Sequence, residues 1–120
     1  MKRQSVIDFI KEEFNVDGEH LWMTFPDYIV FRNPAGGKWF AVLMDVGRDK
    51  LGLDGEGRED ILNVKCDPVL IGSLIKDRSS YLPGYHMNKN SWLTVLLGGN
   101  AGENEIKDLI ALSRELTEKK

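Results

Sequence analysis

The sequence predicts an α+β fold, a two-layer α/β sandwich of the form α-β3-α-β2-α with an antiparallel five-stranded sheet and its helices on one face. Three observations carry this. Apolar residues recur at helical spacing near both ends, short runs rich in β-branched and aromatic residues lie between them, and clusters of glycine, asparagine and proline separate the runs. The 120 residues fall in the single-domain range and can bury a core without covalent staples.

Residues 3–15 place Val6, Ile7, Ile10 and Phe14 on one side of a helix and Lys11, Glu12 and Glu13 on the other. Ser5 and Asp8 have the spacing of a capping pattern, and Asp17-Gly18 closes the element. Residues 28–32 and 38–46 read as two strands around the turn Asn33-Pro34-Ala35-Gly36-Gly37. Residues 47–57 are glycine-rich and polar, which predicts a long exposed connection and a mobile arm. A third strand is expected over 61–66. Asp67 then suits an N-cap and Pro68 the first turn of a helix running to about residue 77. A short strand is expected at 85–88, a last strand at 92–97, and a closing helix over 103–117 with Ile106, Leu109, Ile110, Leu112 and Leu116 on its apolar side.

Composition narrows the function classes. One cysteine, Cys66, excludes an internal disulfide and fits the reducing cytoplasm. The start of the chain carries acids inside its apolar run, unlike a signal peptide, and no stretch has the roughly 20 apolar residues of a membrane span. A net charge of −3 argues against indiscriminate polyanion binding, so any nucleic-acid contact must come from a local patch.

Strand residues alternate between faces. The sets expected in the core are Ile29/Phe31, Phe40/Val42/Met44/Val46, Leu62/Val64/Cys66, Tyr85/Met87 and Leu93/Val95/Leu97. The opposite face then collects Tyr28, Trp39 and Trp92 with Arg32, Lys65 and His86, the amides Asn63 and Asn88, and one acid, Asp45. Such a face has three uses. It can stiffen an open sheet by cross-strand packing, be buried in a homodimer, or stack on bases or ligand rings and pair with phosphate.

Catalytic and metal constellations are weak. Cys66 and His86 fall on opposite faces by alternation, so Cys66 reads as core filling rather than as a nucleophile. Two histidines and one cysteine make no zinc set. The acidic, glycine-rich run at 49–60 places Leu51 and Leu53 where calcium ligands should stand, and it does not match a phosphate-binding loop. The densest polar cluster is Tyr85-His86-Met87-Asn88-Lys89, where His86 could move a proton and Lys89 hold an anion, but no nucleophile or paired carboxylate accompanies it. The expectation is a protein without enzymatic activity, metal or cofactor.

The segment PGYHMNKNSW, preceded by ILNVKCDP and KWFAVLMDVGRDKLGL, resembles the MmcQ/YjbR family. Its most specific parts are Lys-Cys-Asp-Pro at 65–68 and the Pro-x-Tyr-His-Met-Asn-Lys-x-x-Trp element at 83–92. The resemblance implies a secretion-chaperone-like fold with sheet order 1-2-5-4-3, and DNA binding, for which a double-wing mode has been proposed. It carries over to Lys65, Tyr85, His86, Asn88, Lys89 and Trp92. Ser91 departs from the histidine common before the tryptophan, and Ser113-Arg114 from a Ser-Tyr pair. The expected nucleic-acid-binding residues are Arg32, Trp39, Lys65, His86, Asn88, Lys89 and Trp92, with DNA the partner. A homodimer or another protein partner, and a small-molecule or anion site on the same face, are the alternatives.

Overall fold

Asn15 stops the first helix by taking the left-handed conformation (φ 55°), from which its N–H returns to the Lys11 carbonyl. That helix, α1 (Arg3–Phe14), buries Val6 and Ile10. The expected Ser5–Asp8 cap is not used. The helix starts after Lys2, which puts Ser5 inside the first turn, and Asp8 accepts instead from Gln4 Nε2 at 3.0 Å. The computed structural model describes residues 1–118. Its other elements are β1 (Ile29–Arg32), β2 (Trp39–Gly47), β3 (Arg58–Lys65), α2 (Pro68–Leu74), β4 (Tyr81–Pro83), β5 (Trp92–Leu96) and α3 (Glu103–Thr117). Asp67 caps α2 as expected, its Oδ1 accepting from the N–H of Val69 at 2.8 Å.

The expected succession of helices and strands is borne out, and the five strands form one antiparallel sheet. The strand order is β1-β2-β3-β5-β4, not the 1-2-5-4-3 implied by family likeness. Burial explains the difference. Ile61, Leu62, Asn63 and Val64 of β3 are all enclosed, so this strand needs a ladder on both sides to satisfy its backbone. It pairs with β2 from Ala41↔Val64 to Gly47↔Arg58 and with β5 from Ile61↔Leu96 to Lys65↔Trp92. The short β4 takes the edge, where Pro83 cannot donate to a further strand. At the other edge Glu19 bonds both ways to Val30 (2.8 and 2.9 Å) and pairs with Arg32 at 2.8 Å.

A bulge in β2 inverts the expected faces. Ala41 lies opposite Phe31 and Trp39 opposite Arg32, which leaves Phe40 without a partner in β1. Phe40, Ala41 and Leu43 therefore pack beneath the helices, with Ile29, Phe31, Leu62, Val64 and the apolar stripes of α1 and α3. Val42, Met44 and Val46, expected in that core, instead join Val30, Ile61, Leu82 and Leu96 on the opposite face. Ser113 of α3 sits where the Phe40–Lys65 ladder bond would be. Its hydroxyl donates to the Phe40 carbonyl at 2.6 Å and accepts from the Lys65 N–H at 2.8 Å.

Two loops also depart from expectation. Residues 85–88 form no strand: His86 has a positive φ of 57°, and the paired residues stand earlier, at Tyr81–Pro83. Tyr85 and Met87 consequently pack on the face away from the helices, and His86 and Asn88 are exposed in a loop. The 47–57 connection is not a free arm, because Leu51 is buried and Leu53 half-buried against that same face.

Ser113→Ala leaves the Phe40 carbonyl and Lys65 N–H buried without their shared partner, which costs about 1–3 kcal/mol. Urea unfolding should show this as a lower midpoint at unchanged slope; a variant within about 0.5 kcal/mol of the parent would show that the hydroxyl is dispensable.

Candidate functional site

The second apolar face is roofed by two loops that leave a trough between them. Its floor is Met44 and Val46 of β2, with Trp39 at one end and Gly47 at the other. One wall comes from residues 22–28. Phe25 N–H returns to the Trp22 carbonyl at 3.3 Å and Tyr28 N–H to that of Phe25 at 3.1 Å, so successive turns bring three rings to one side. Phe25 and Tyr28 stack with centroids 4.7 Å apart, and Trp22 meets Tyr28 and Trp39 edge-on at 5.7 and 5.8 Å. His20 Nδ1 lies 3.0 Å from the Pro26 carbonyl and draws this loop together.

The other wall is Tyr85, His86 and Met87. Two buried polar side chains hold it. Tyr85 N–H donates to Thr94 Oγ1 at 2.8 Å, the Thr94 hydroxyl donates to Asn63 Oδ1, and Asn63 Nδ2 donates to the Tyr85 carbonyl at 3.0 Å. Asn63 and Thr94 are fully buried, facing each other across β3 and β5. Every strong hydrogen-bonding atom of the three groups is thereby used, as burial requires. Gly84 precedes this wall because a Cβ there would stand 2.7 Å from the Trp92 Cβ. Asn88 shapes the far side of the loop, its Oδ1 accepting from the Asn90 N–H at 2.9 Å.

The trough encloses about 480 Å³. Phe25 is half-exposed and His86 exposed, so ring surface remains open to a ligand. At the rim Arg58 Nε donates to Asp45 Oδ1 at 2.9 Å, and Lys50 stands nearby. Burial pushes the Tyr28 hydroxyl pKa up, Tyr85 across the trough adds to this, and Arg58 opposes it. Tyr28 is therefore a neutral hydrogen-bonding group at neutral pH. Burial likewise raises the Cys66 thiol, which lies in the helix-side core, on the other side of the sheet from His86. No cluster of metal-ligating side chains occurs among the described residues.

The seven residues expected from sequence divide. Trp39 and His86 line the trough, and Arg32 lies over the Trp39 ring at 5.9 Å. Lys89 lies just outside, its Nζ donating to the Gly84 carbonyl at 2.8 Å. Lys65 and Trp92 pair with each other, Nζ 5.5 Å from the ring, outside the trough lining. Asn88 serves the turn. Sequence reasoning overlooked Trp22 and Phe25, whose signal was an aromatic at every third position from 22 to 28. It also sent Tyr85 and Met87 to the wrong side of the sheet.

A model of the YjbR family matches residues 14–116. The protein YyaQ of Bacillus subtilis (strain 168) is 37% identical over 117 residues, 98% of either chain. YbdF of Escherichia coli O157:H7 is 31% identical over 93 residues, 77% of this chain and 66% of its own. A Pseudomonas syringae protein solved by crystallography superimposes with a TM-score of 0.93 at 44% identity, over 98% of this chain and 99% of that one. The Deinococcus radiodurans protein DR2400, with its DUF419 domain, shares the fold at a TM-score of 0.73 and 22% identity, over 98% of this chain and 78% of that one.

Thr94→Val removes the hydroxyl that joins Tyr85 to Asn63. Amide hydrogen exchange at Tyr85 should then rise about tenfold or more, matching the loss of a hydrogen bond in a buried network, while the amides of β3 stay protected. Unchanged exchange at Tyr85 would mean that packing alone holds the loop.

Proposed function

The chain belongs to the YjbR family, and within that family we propose that it is a non-enzymatic binding domain whose ligand is nucleic acid, DNA first of all, received in the aromatic trough. One observation carries the reading: six ring-bearing side chains, Trp22, Phe25, Tyr28, Trp39, Tyr85 and His86, converge from two loops and one strand on a single solvent-open hollow. Aromatic surface in a concave site stacks on bases, and every base offers a π-face to it. This narrows the sequence-based expectation. The contact surface becomes the trough and its borders rather than the whole sheet face. Trp39, His86 and Lys89 stay with it, Arg32 steadies Trp39, and Lys65, Asn88 and Trp92 leave the ring lining.

A small planar ligand is the second reading, favoured by a specific feature. The hollow of about 480 Å³ lies within the range of small-molecule sites. A thermal shift with planar aromatic compounds, in a protein that binds no oligonucleotide, would select it.

Trp22 and Trp39 report directly on occupancy. At low salt, a titration with DNA oligonucleotides should quench their fluorescence, and Tyr85→Ala should weaken binding by about five- to a hundredfold, the worth of a base–aromatic stack. Absence of binding at low salt to both single-stranded and duplex DNA, or equal affinity of Tyr85→Ala and parent, contradicts nucleic acid as the ligand.

A further inference from the structure

Beside the trough lies a second hollow, of about 340 Å³, at the β4 edge of the sheet. Three cations from three separate segments line it: Lys50 from the turn after β2, Arg78 from the loop after α2, and Lys89 from the loop after β4. Lys50 and Tyr85 line both hollows, so the two are contiguous. We infer that together they form a site for one unpaired nucleotide, with its base among the rings of the trough and its phosphate between Lys50, Arg78 and Lys89. This inference rests on the nucleic-acid reading for the base and on independent geometry for the phosphate.

The charge pattern is the first argument. Acids outnumber lysines and arginines 19 to 16 in this chain, yet no acid lines the edge hollow. Three arginines elsewhere stand against acids: Arg32 against Glu19, Arg48 against Glu59 and Arg58 against Asp45. None of Lys50, Arg78 and Lys89 is in an ion pair among the described residues. The acids adjacent in sequence are turned elsewhere. Asp77 accepts from the Ser79 hydroxyl at 2.6 Å and its N–H at 3.2 Å, and Asp49 directs its carboxylate toward Gly47. Lys89 is held in place by donating to the Gly84 carbonyl at 2.8 Å, and its ammonium retains two protons for an anion. Three cationic donors lining one hollow with no carboxylate among them suit a phosphate.

Shape supplies the second argument. A duplex exposes phosphates and base edges but keeps base faces stacked inside, so it cannot lay a base face against the rings that wall a concave trough. An unpaired base can. The contiguity of ring surface and cations then joins the base and the phosphate of one nucleotide. Both a single strand and a free nucleotide carry this chemistry, and binding measurements separate them.

The test combines oligonucleotide titration with backbone-amide NMR of the full chain. The probes are a single-stranded pentanucleotide, a duplex, deoxyadenosine, its 5′-monophosphate, and pyrophosphate. Expected results are single strand bound at least about tenfold more tightly than duplex, and shifts at Lys50, Arg78 and Lys89 with the monophosphate but not with deoxyadenosine. Arg78→Glu with Lys89→Glu should cost about tenfold or more in strand affinity and lower the salt slope by about 0.7 per lost phosphate contact, whereas Lys107→Glu on α3 stays within about twofold. A monophosphate that binds as tightly as the strand identifies a free nucleotide as the ligand and supports the site. If strands bind but the double variant behaves like Lys107→Glu, the phosphate position is wrong and the nucleic-acid reading stands. If pyrophosphate and the monophosphate shift these amides while no strand binds, the phosphate position stands and the nucleic-acid reading falls. Tighter binding of duplex than single strand, or no response to any probe, overturns the inference.

Discussion

The extra residue in β2 decides which side chains meet. Phe40 stands out of register with β1, and the strand's two faces exchange beyond it. Without the bulge, alternation would set Trp39 on the opposite side of the sheet from Val42, Met44 and Val46. With it, Trp39 shares a face with them and closes one end of the trough they floor. Bulges leave a carbonyl or N–H unpaired, and a buried one must find another partner. Ser113 provides it from α3, bonding both Phe40 and Lys65. A single hydroxyl on the helical layer thus stabilises the geometry that shapes the opposite face.

The trough is assembled by a division of labour along each loop. Main-chain groups do the anchoring: Tyr85 is tied to Asn63 and Thr94 through its N–H and carbonyl, and Phe25 and Tyr28 through turn hydrogen bonds. The rings attached to those residues are left to line the space. Polar burial in the sheet is consequently not a flaw in the core. Asn63 and Thr94 are the price of a rigid wall, and each is satisfied. The charged groups follow a related logic, since most arginines stand against a carboxylate while three cations in no ion pair among the described residues line one hollow at the sheet edge.

Much of this architecture was legible. Helical periodicity fixed α1 and α3, Asp67-Pro68 marked the start of α2, and the runs of β-branched residues marked β1, β2, β3 and β5. The bulge was not legible, because both alternation sets of β2 are rich in apolar residues and the one acid, Asp45 in Trp39/Ala41/Leu43/Asp45, singled out Phe40/Val42/Met44/Val46 as the buried set. The 85–88 error had a local cause: alternation of Tyr85 and Met87 with His86 and Asn88 imitates a strand, while the left-handed turn at His86 is set by tertiary docking. Leu51 and Leu53 did signal that the 47–57 connection is anchored, although only as residues unsuited to calcium. Lys50, Arg78 and Lys89 are far apart in sequence and acquire meaning only once the strand order brings them together.

The sheet margins carry a consequence for the chain in company. A strand edge with free amides and carbonyls is a template on which another chain can grow, and cross-β fibrils begin that way. Here one margin is three residues long and contains Pro83, and the other is occupied by Glu19, whose carboxylate is locked to Arg32. Neither offers a long run for a neighbour to zip onto. The fold can therefore expose a hollow full of aromatic surface without inviting copies of itself to polymerise through the adjacent backbone.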